Sequence, residues 1–232
     1  TGLDPSSGLY EQFAGYFGLE QIDLAQFGGR SVPMDVVLGI ARTQASQVVK
    51  QADVVGLLML LPDAFAGQTA SDNFAFYEPR CSHGSSLSRA MHGVVAARLG
   101  LSRQALTFFG QTAAIDMADS HAAIDGGIHI ASLGGVWQMA ILGFAGLSLH
   151  DDLLAFDPIL PEGWTRLEFP MQWHGRHLRV RIEGGPPNVQ VTLTEGERMV
   201  VSLFGHLYDL SSEVTGGPVR SPAIRKEVER TP

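Results

Sequence analysis

Between Tyr77 and Ser88 the chain reads Tyr-Glu-Pro-Arg-Cys-Ser-His-Gly-Ser-Ser-Leu-Ser. An acid, a base, an imidazole and four serines crowd into this stretch, ahead of an apolar-periodic segment with Leu87, Met91, Val94, Val95 and Arg98 on one side. Pro79 opposes a helix through the first half. Gly84 and Ser85 suit a loop that turns into a helix, with Ser85 as N-cap. A helix start presents unpaired N–H groups and the positive end of the peptide dipoles, so hydroxyls gathered there suit an anion. An ordinary capped helix after a polar loop is the plainer alternative.

Two further places could join such a site. Lys50 and Gln51 precede Val54–Leu61, a run apolar on all sides that reads as a buried helix. A lysine there needs a partner or a ligand, and Asp53 or solvent would also serve. His129 falls in the first turn of a segment of small and apolar residues and could donate to an anion; a hydrogen-bonded core histidine is the competing reading. Asp116, Asp119 and His121 lie close in sequence, and solvation of a helix end accounts for them. Neither Ser85 nor Ser86 sits in a nucleophile-elbow pattern that would make a triad with His83 or His129. No P-loop, dinucleotide fingerprint or zinc spacing occurs.

The elements that must carry these groups change character along the chain. Residues 1–30 are rich in glycine and aromatics without a period and read as a loop with a short helix or strand. The pattern predicts a helix from Thr43 to Leu61 ended by Pro62, an aromatic and polar loop over Asp63–Phe76, a helix to Leu99 closed by Gly100, and a helix from Ser102 to about residue 118. A loop over Ser120–Gly127 precedes the helix opened by Ile128-His129-Ile130. After Leu149 the period becomes two. Leu167–Trp173 and Leu178–Ile182 flank His174-Gly175 as a hairpin, and Val189–Leu193 with Met199–Leu203 read as a second. Helices first and antiparallel strands last imply two modules: 1–148, 149–212, and a loose tail over 213–232.

With 232 residues, 45% hydrophobic and only 17% charged, the chain can bury a large core. Its net charge of −8 argues against a nucleic-acid partner. The longest apolar runs, Val54–Leu61 and Val136–Leu147, are too short to span a bilayer, so no membrane partner is expected. Cys81 is the single cysteine, so no internal disulfide forms. Asp4, Glu11, Glu20 and Asp23 mark the first thirty residues, with no basic leader region, which predicts a cytoplasmic protein.

Five stretches, taken in order, resemble the C-terminal part of glycoside hydrolase family 65 proteins. They are Gly8–Phe17, Val49–Asp53, Tyr77–Ser88, Gly127–Trp137 and Phe156–Trp164. The resemblance covers nearly everything but the tail. It implies an α+β architecture: the last part of an (α/α)₆ barrel followed by a small β-sandwich. It implies inverting phosphorolysis of an α-glucosidic disaccharide, as in maltose, trehalose, kojibiose and nigerose phosphorylases. Inorganic phosphate is then a co-substrate, with no cofactor or metal. Carried over by position, Lys50 and Gln51 match the sugar-contacting pair, and Ser85, Ser86 and His129 match phosphate-holding positions. A hydrolase of the same family is the alternative, with Glu78 near enough to activate water. The family's general acid, a glutamate upstream of the Lys-Gln pair, has no counterpart here, and Gly84 stands where many of its phosphorylases carry an aspartate. The chain is therefore expected to need the missing barrel portion, as another chain or as more of its own; a non-catalytic fragment or subunit and a homodimer both fit.

Overall fold

A computed structural model describes residues 2–28, 33–117 and 127–218. The chain forms two compact units, one of residues 1–147 and 158–164, the other of 148–157 and 165–232. The Ser120–Gly127 loop apart from Gly127, Asp119, His121, and residues 219–232 of the expected tail lie outside the described residues.

The first unit is helical: α1 (Met34–Leu38), α2 (Ile40–Gln44), α3 (Asp53–Leu60), α4 (Gln68–Tyr77), α5 (Ser88–Arg98), α6 (Ser102–Ala113) and α7 (Ile130–Gln138), which widens into a π-turn over Met139–Phe144. The Gly8–Phe17 opening is held down by polar and aromatic anchors. Asn73 of α4 accepts from the Tyr10 N–H at 2.8 Å and donates to the Gly8 carbonyl, while the buried Tyr16 hydroxyl donates to the Gln47 carbonyl at 2.7 Å.

At the centre lies α5. Val94, Val95, Ala96 and Ala97 are buried, and glycines let its neighbours close on it. A Cβ on Gly135 of α7 would stand 2.5 Å from the Ala90 Cβ, and one on Gly143 of the π-turn 3.2 Å from the Ala97 Cβ. Neither contact leaves room for a methyl group without movement. Gly100 takes a φ of 75° just after α5, in the closing role its sequence position predicts.

Three local expectations are corrected. The helix expected over Thr43–Leu61 is broken in two by an extended stretch. There Gln47 N–H donates to Glu20 O at 2.8 Å and Val49 N–H donates to Arg80 O at 2.9 Å. Long-range pairing captures the β-branched Val48-Val49 pair, whose helix propensity is modest. The loop expected over Asp63–Phe76 contains α4, because Asn73, Phe74 and Tyr77 share one buried face. Ser85 does not cap α5: the helix starts at Ser88, with Leu87 at the cap position and no side-chain cap.

The second unit carries two four-stranded sheets, ordered β1-β2-β6-β7 and β3-β4-β5-β8. Their strands are β1 (Leu147–His150), β2 (Leu153–Phe156), β3 (Arg166–Trp173), β4 (Arg176–Glu183), β5 (Asn188–Glu195), β6 (Met199–Leu203), β7 (His206–Leu210) and β8 (Glu213–Gly216). The β3–β4 hairpin turns at His174-Gly175 as expected. The second hairpin does not form. β5 pairs with β4 on one side and β8 on the other, so both its edges are taken; β6 crosses to the other sheet and pairs parallel to β2 and antiparallel to β7. Alternation matches the buried Val189 and Val191 of β5 and Met199, Val201 and Leu203 of β6, while Leu193 is only half-buried and Ser202 is buried as well; it carries no information on which edge each strand finds.

Candidate functional site

The Ser82–Leu87 loop enters α5 and is tied at both ends to other elements. At its start, Ser82 N–H donates to Val49 O at 2.8 Å and the Ser82 hydroxyl also reaches Val49 O at 3.2 Å. This bridge sets Lys50 and Gln51, the next two residues, beside the beginning of the serine loop. Further on, the Ser132 hydroxyl of α7 donates to the Ser86 carbonyl at 3.1 Å, while Ser132 N–H donates to His129 O at 2.8 Å. The loop bearing Ser85 and Ser86 and the helix start bearing His129 are thereby joined through one buried serine. Separate stretches of sequence come together here because α5 and α7 approach across Gly135 and Ala90.

His129 sits at the cap position of α7, and Asp116 clamps it. The carboxylate accepts from the His129 N–H at 2.9 Å through Oδ2 and stands 2.6 Å from the ring Nδ1 through Oδ1. A carboxylate can only accept, so Nδ1 carries a proton and Nε2 is the nitrogen left for another group. The Asp116 side chain is 17% exposed and that of His129 34%, so the pair is shielded on one side and open on the other. Asp116 is the residue that sequence reasoning missed. Helix-end solvation seemed to explain it, yet it reaches thirteen positions along the chain to hold the imidazole.

The remaining candidates take different surroundings. Lys50 is exposed and its Nζ meets Asp35 Oδ2 at 3.0 Å, not the neighbouring Asp53. That ammonium holds the Asp35 carboxyl below its usual range. Gln51 is exposed, and its carbonyl accepts from Gln12 at 2.6 Å. The Ser85 hydroxyl accepts from Leu87 N–H at 3.3 Å, and Ser85 and Ser86 are both half-buried. Glu78 is half-buried on a single 3₁₀ turn, Glu78–Arg80. Arg80 has a packing role: its guanidinium lies 3.8 Å over the Phe76 ring and donates to Phe76 O and Gln47 Oε1.

Behind the serine loop lie Cys81 and His92, both buried, and half-buried His83, a set whose metal-ligating atoms lie within 4.8 Å of one another. Burial pushes the Cys81 thiol up and brings the His92 imidazole down to about 4.

Large apolar side chains stand in the open around this region: Ile128 and Ile130 are 74% and 78% exposed, and Leu133 and Trp137 of α7 are also exposed. No helix among the described residues is long and apolar enough to cross a membrane.

The chain is thus a helical unit that offers hydroxyl, imidazole and ammonium groups at its loop ends, together with a two-sheet unit. The chain belongs to glycosyl hydrolase family 65. Residues 3–138 match the family's central catalytic domain and residues 147–210 its C-terminal domain. It is 41% identical to the kojibiose phosphorylase of Escherichia coli (strain K12) over 179 residues, 76% of this chain and 24% of that protein. It is 33% identical to the alpha,alpha-trehalose phosphorylase of Geobacillus stearothermophilus, over 72% of this chain and 22% of that one. It is 34% identical to the 1,2-alpha-glucosylglycerol phosphorylase of Bacillus selenitireducens, over 89% of this chain and 28% of that one. A solved structure from the human microbiome, provisionally named a kojibiose phosphorylase, superposes with a TM-score of 0.84 at 27% identity, over 92% of this chain and 30% of that one. The chain thus spans about a quarter of the length of the curated relatives it matches.

Proposed function

We propose that this chain supplies the phosphate site and part of the sugar site for inverting phosphorolysis of an α-glucosidic disaccharide. The observation that carries the reading is the Ser86–Ser132–His129 link, which brings the serine loop and the clamped imidazole to one place. The comparison proteins named as phosphorylases support it. Ser85, Ser86 and His129 hold the phosphate; Lys50 and Gln51 contact the sugar. The module limits 1–148 and 149–212 belong to the same proposal, whereas the first residues of the stretch expected as a loose tail over 213–232 form β8 and belong to the sheet.

The chemistry follows from the groups. The Ser85 hydroxyl accepts from Leu87 and so has its own proton to give to a phosphate oxygen. His129 presents Nε2, and the proton of that hydrogen bond comes from the imidazolium or from the phosphate itself. Held on the face opposite the leaving sugar, a phosphate oxygen attacks the anomeric carbon as the glycosidic C–O bond breaks, and a carboxylic acid protonates the departing oxygen. No carboxylate base is required, because phosphate is already the nucleophile. Attack on an α-linkage with inversion gives a β-sugar 1-phosphate. The acid is a glutamate supplied by polypeptide beyond these residues, so the chain alone is inert. The exposed Ile128, Ile130, Leu133 and Trp137 face is what such a polypeptide would cover.

The test uses the complete protein, or this chain reconstituted with the remainder of a family barrel, on a panel of α-linked diglucosides. Phosphate-dependent release of β-glucose 1-phosphate from a member of the panel is expected. Release of glucose at the same rate without phosphate would replace this reading with the hydrolase, in which Glu78 activates water.

A further inference from the structure

We propose that Cys81, His83 and His92 bind one zinc ion behind the serine loop, as a thiolate and two imidazoles with a fourth position for water. The inference is independent of the phosphate site, since it uses none of Ser85, Ser86 or His129.

The strongest observation is His92. It is fully buried on α5, its Nδ1 lies 2.7 Å from the Ser88 carbonyl, and its Nε2 is buried without a hydrogen-bond partner. A carbonyl can only accept, so the proton is on Nδ1 and Nε2 bears a buried lone pair. A neutral imidazole with its other nitrogen tied to a carbonyl is the form in which histidine binds metals. Burial also keeps this ring neutral well below pH 7, so no proton competes for the lone pair.

The other ligands converge on the same spot. Cys81 Sγ lies 3.7 Å from His83 Nδ1, and the His83 and His92 ring centroids are 4.8 Å apart. Around a tetrahedral zinc with Zn–S of about 2.3 Å and Zn–N of about 2.0 Å, the S···N separation is roughly 3.5 Å. The Cys81–His83 pair nearly meets this, and the other separations, all within 4.8 Å, need at most about 1.5 Å of side-chain closure. His83 takes a φ of 49°, the left-handed region that a non-glycine residue adopts at a cost, and its ring packs edge-on against His92.

The hydrogen bonds permit ligation. Ser88 has one hydroxyl proton and three neighbours for it: Ser85 O at 3.0 Å, His83 Nδ1 at 3.1 Å and the Cys81 sulfur. With His83 Nδ1 on the metal, that proton goes to Ser85 O and the His83 ring proton sits on Nε2. The Cys81 thiol loses its proton to water as the Zn–S bond forms, so affinity rises with pH. One thiolate, two imidazoles and a borderline-soft divalent ion are a chemically matched set.

The experiment strips the native polypeptide with a chelator and titrates it with cobalt(II) as a spectroscopic stand-in, then with zinc. One equivalent of cobalt with a thiolate-to-cobalt charge-transfer band is expected, displaced by zinc and absent in Cys81→Ser. Zinc affinity in that variant should fall by more than the roughly 10–100-fold that loss of an outer-shell partner costs. Zinc-edge X-ray absorption on the unsubstituted protein supplies a reading that needs no variant: one sulfur and two imidazoles in the shell. A missing cobalt band, a band that survives Cys81→Ser, or a zinc shell without sulfur would each overturn the proposal.

Discussion

Titration of His92 should cost this protein much of its stability in mild acid. The ring is fully buried and its pKa falls from an ordinary 6.5 to about 4, through burial, against a smaller opposing effect of the Ser88 carbonyl. A base whose folded-state pKa is lowered binds its proton more readily when unfolded. Its stabilising contribution is therefore present above the unfolded pKa and is lost as pH falls toward the folded one. Between those limits stability should change by about 1.4 kcal/mol per pH unit from this one group. From about pH 7.5 to about pH 5 the integrated loss is about 2 kcal/mol, and below about pH 4 it reaches about 3 kcal/mol. Urea unfolding across this range, in chelator so that no metal occupies the ring, gives the measurement. The matched variant is His92→Gln, which removes the titration but keeps a donor near the Ser88 carbonyl. Its stability at neutral pH should be lower, and its curve over the same window flatter by the amounts above. Parallel curves for the two proteins would refute the assignment of a buried neutral imidazole.

Further outcomes follow from the same geometry. Gly135→Ala should destabilise by about 1–3 kcal/mol in urea unfolding, because the new methyl meets Ala90, whereas Gly134→Ala, with nothing within 4 Å, should gain up to about 1 kcal/mol of helix propensity. Asp116→Asn frees the His129 ring to rotate; in the complete protein the phosphate KM should rise tenfold or more, with the disaccharide KM held within about twofold. Equal changes in both would make Asp116 a structural residue instead. Lys50→Ala breaks only an exposed pair with Asp35, so stability should fall by less than about 1 kcal/mol, while the disaccharide KM rises.

Local pattern made the helical and β modules readable, along with the β3–β4 hairpin and the apolar α5 and α7. Each of these depends on neighbours in sequence. Pairings that depend on distant partners were hidden. Val49 lies extended because Arg80 and Ser82 bond to it, and nothing in Thr43–Leu61 announces that. β6 leaves β5 because β8 occupies the free edge. At the site, Ser85, Ser86 and His129 stood out as polar groups at expected helix starts, although Ser85 proves to lie in the loop before α5 rather than at its cap. Asp116 and the Cys81–His83–His92 set did not stand out. Their members are split between loop and helix, or stand thirteen positions apart, with no fixed spacing to betray them.

Whether Ser85, Ser86 and His129 hold phosphate is read from the phosphate KM of the complete protein. Ser85→Ala, Ser86→Ala and His129→Gln should each raise the phosphate KM by about tenfold or more, the cost of one charge-assisted hydrogen bond, and leave the disaccharide KM within about twofold. Three variants with an unchanged phosphate KM would place the phosphate elsewhere.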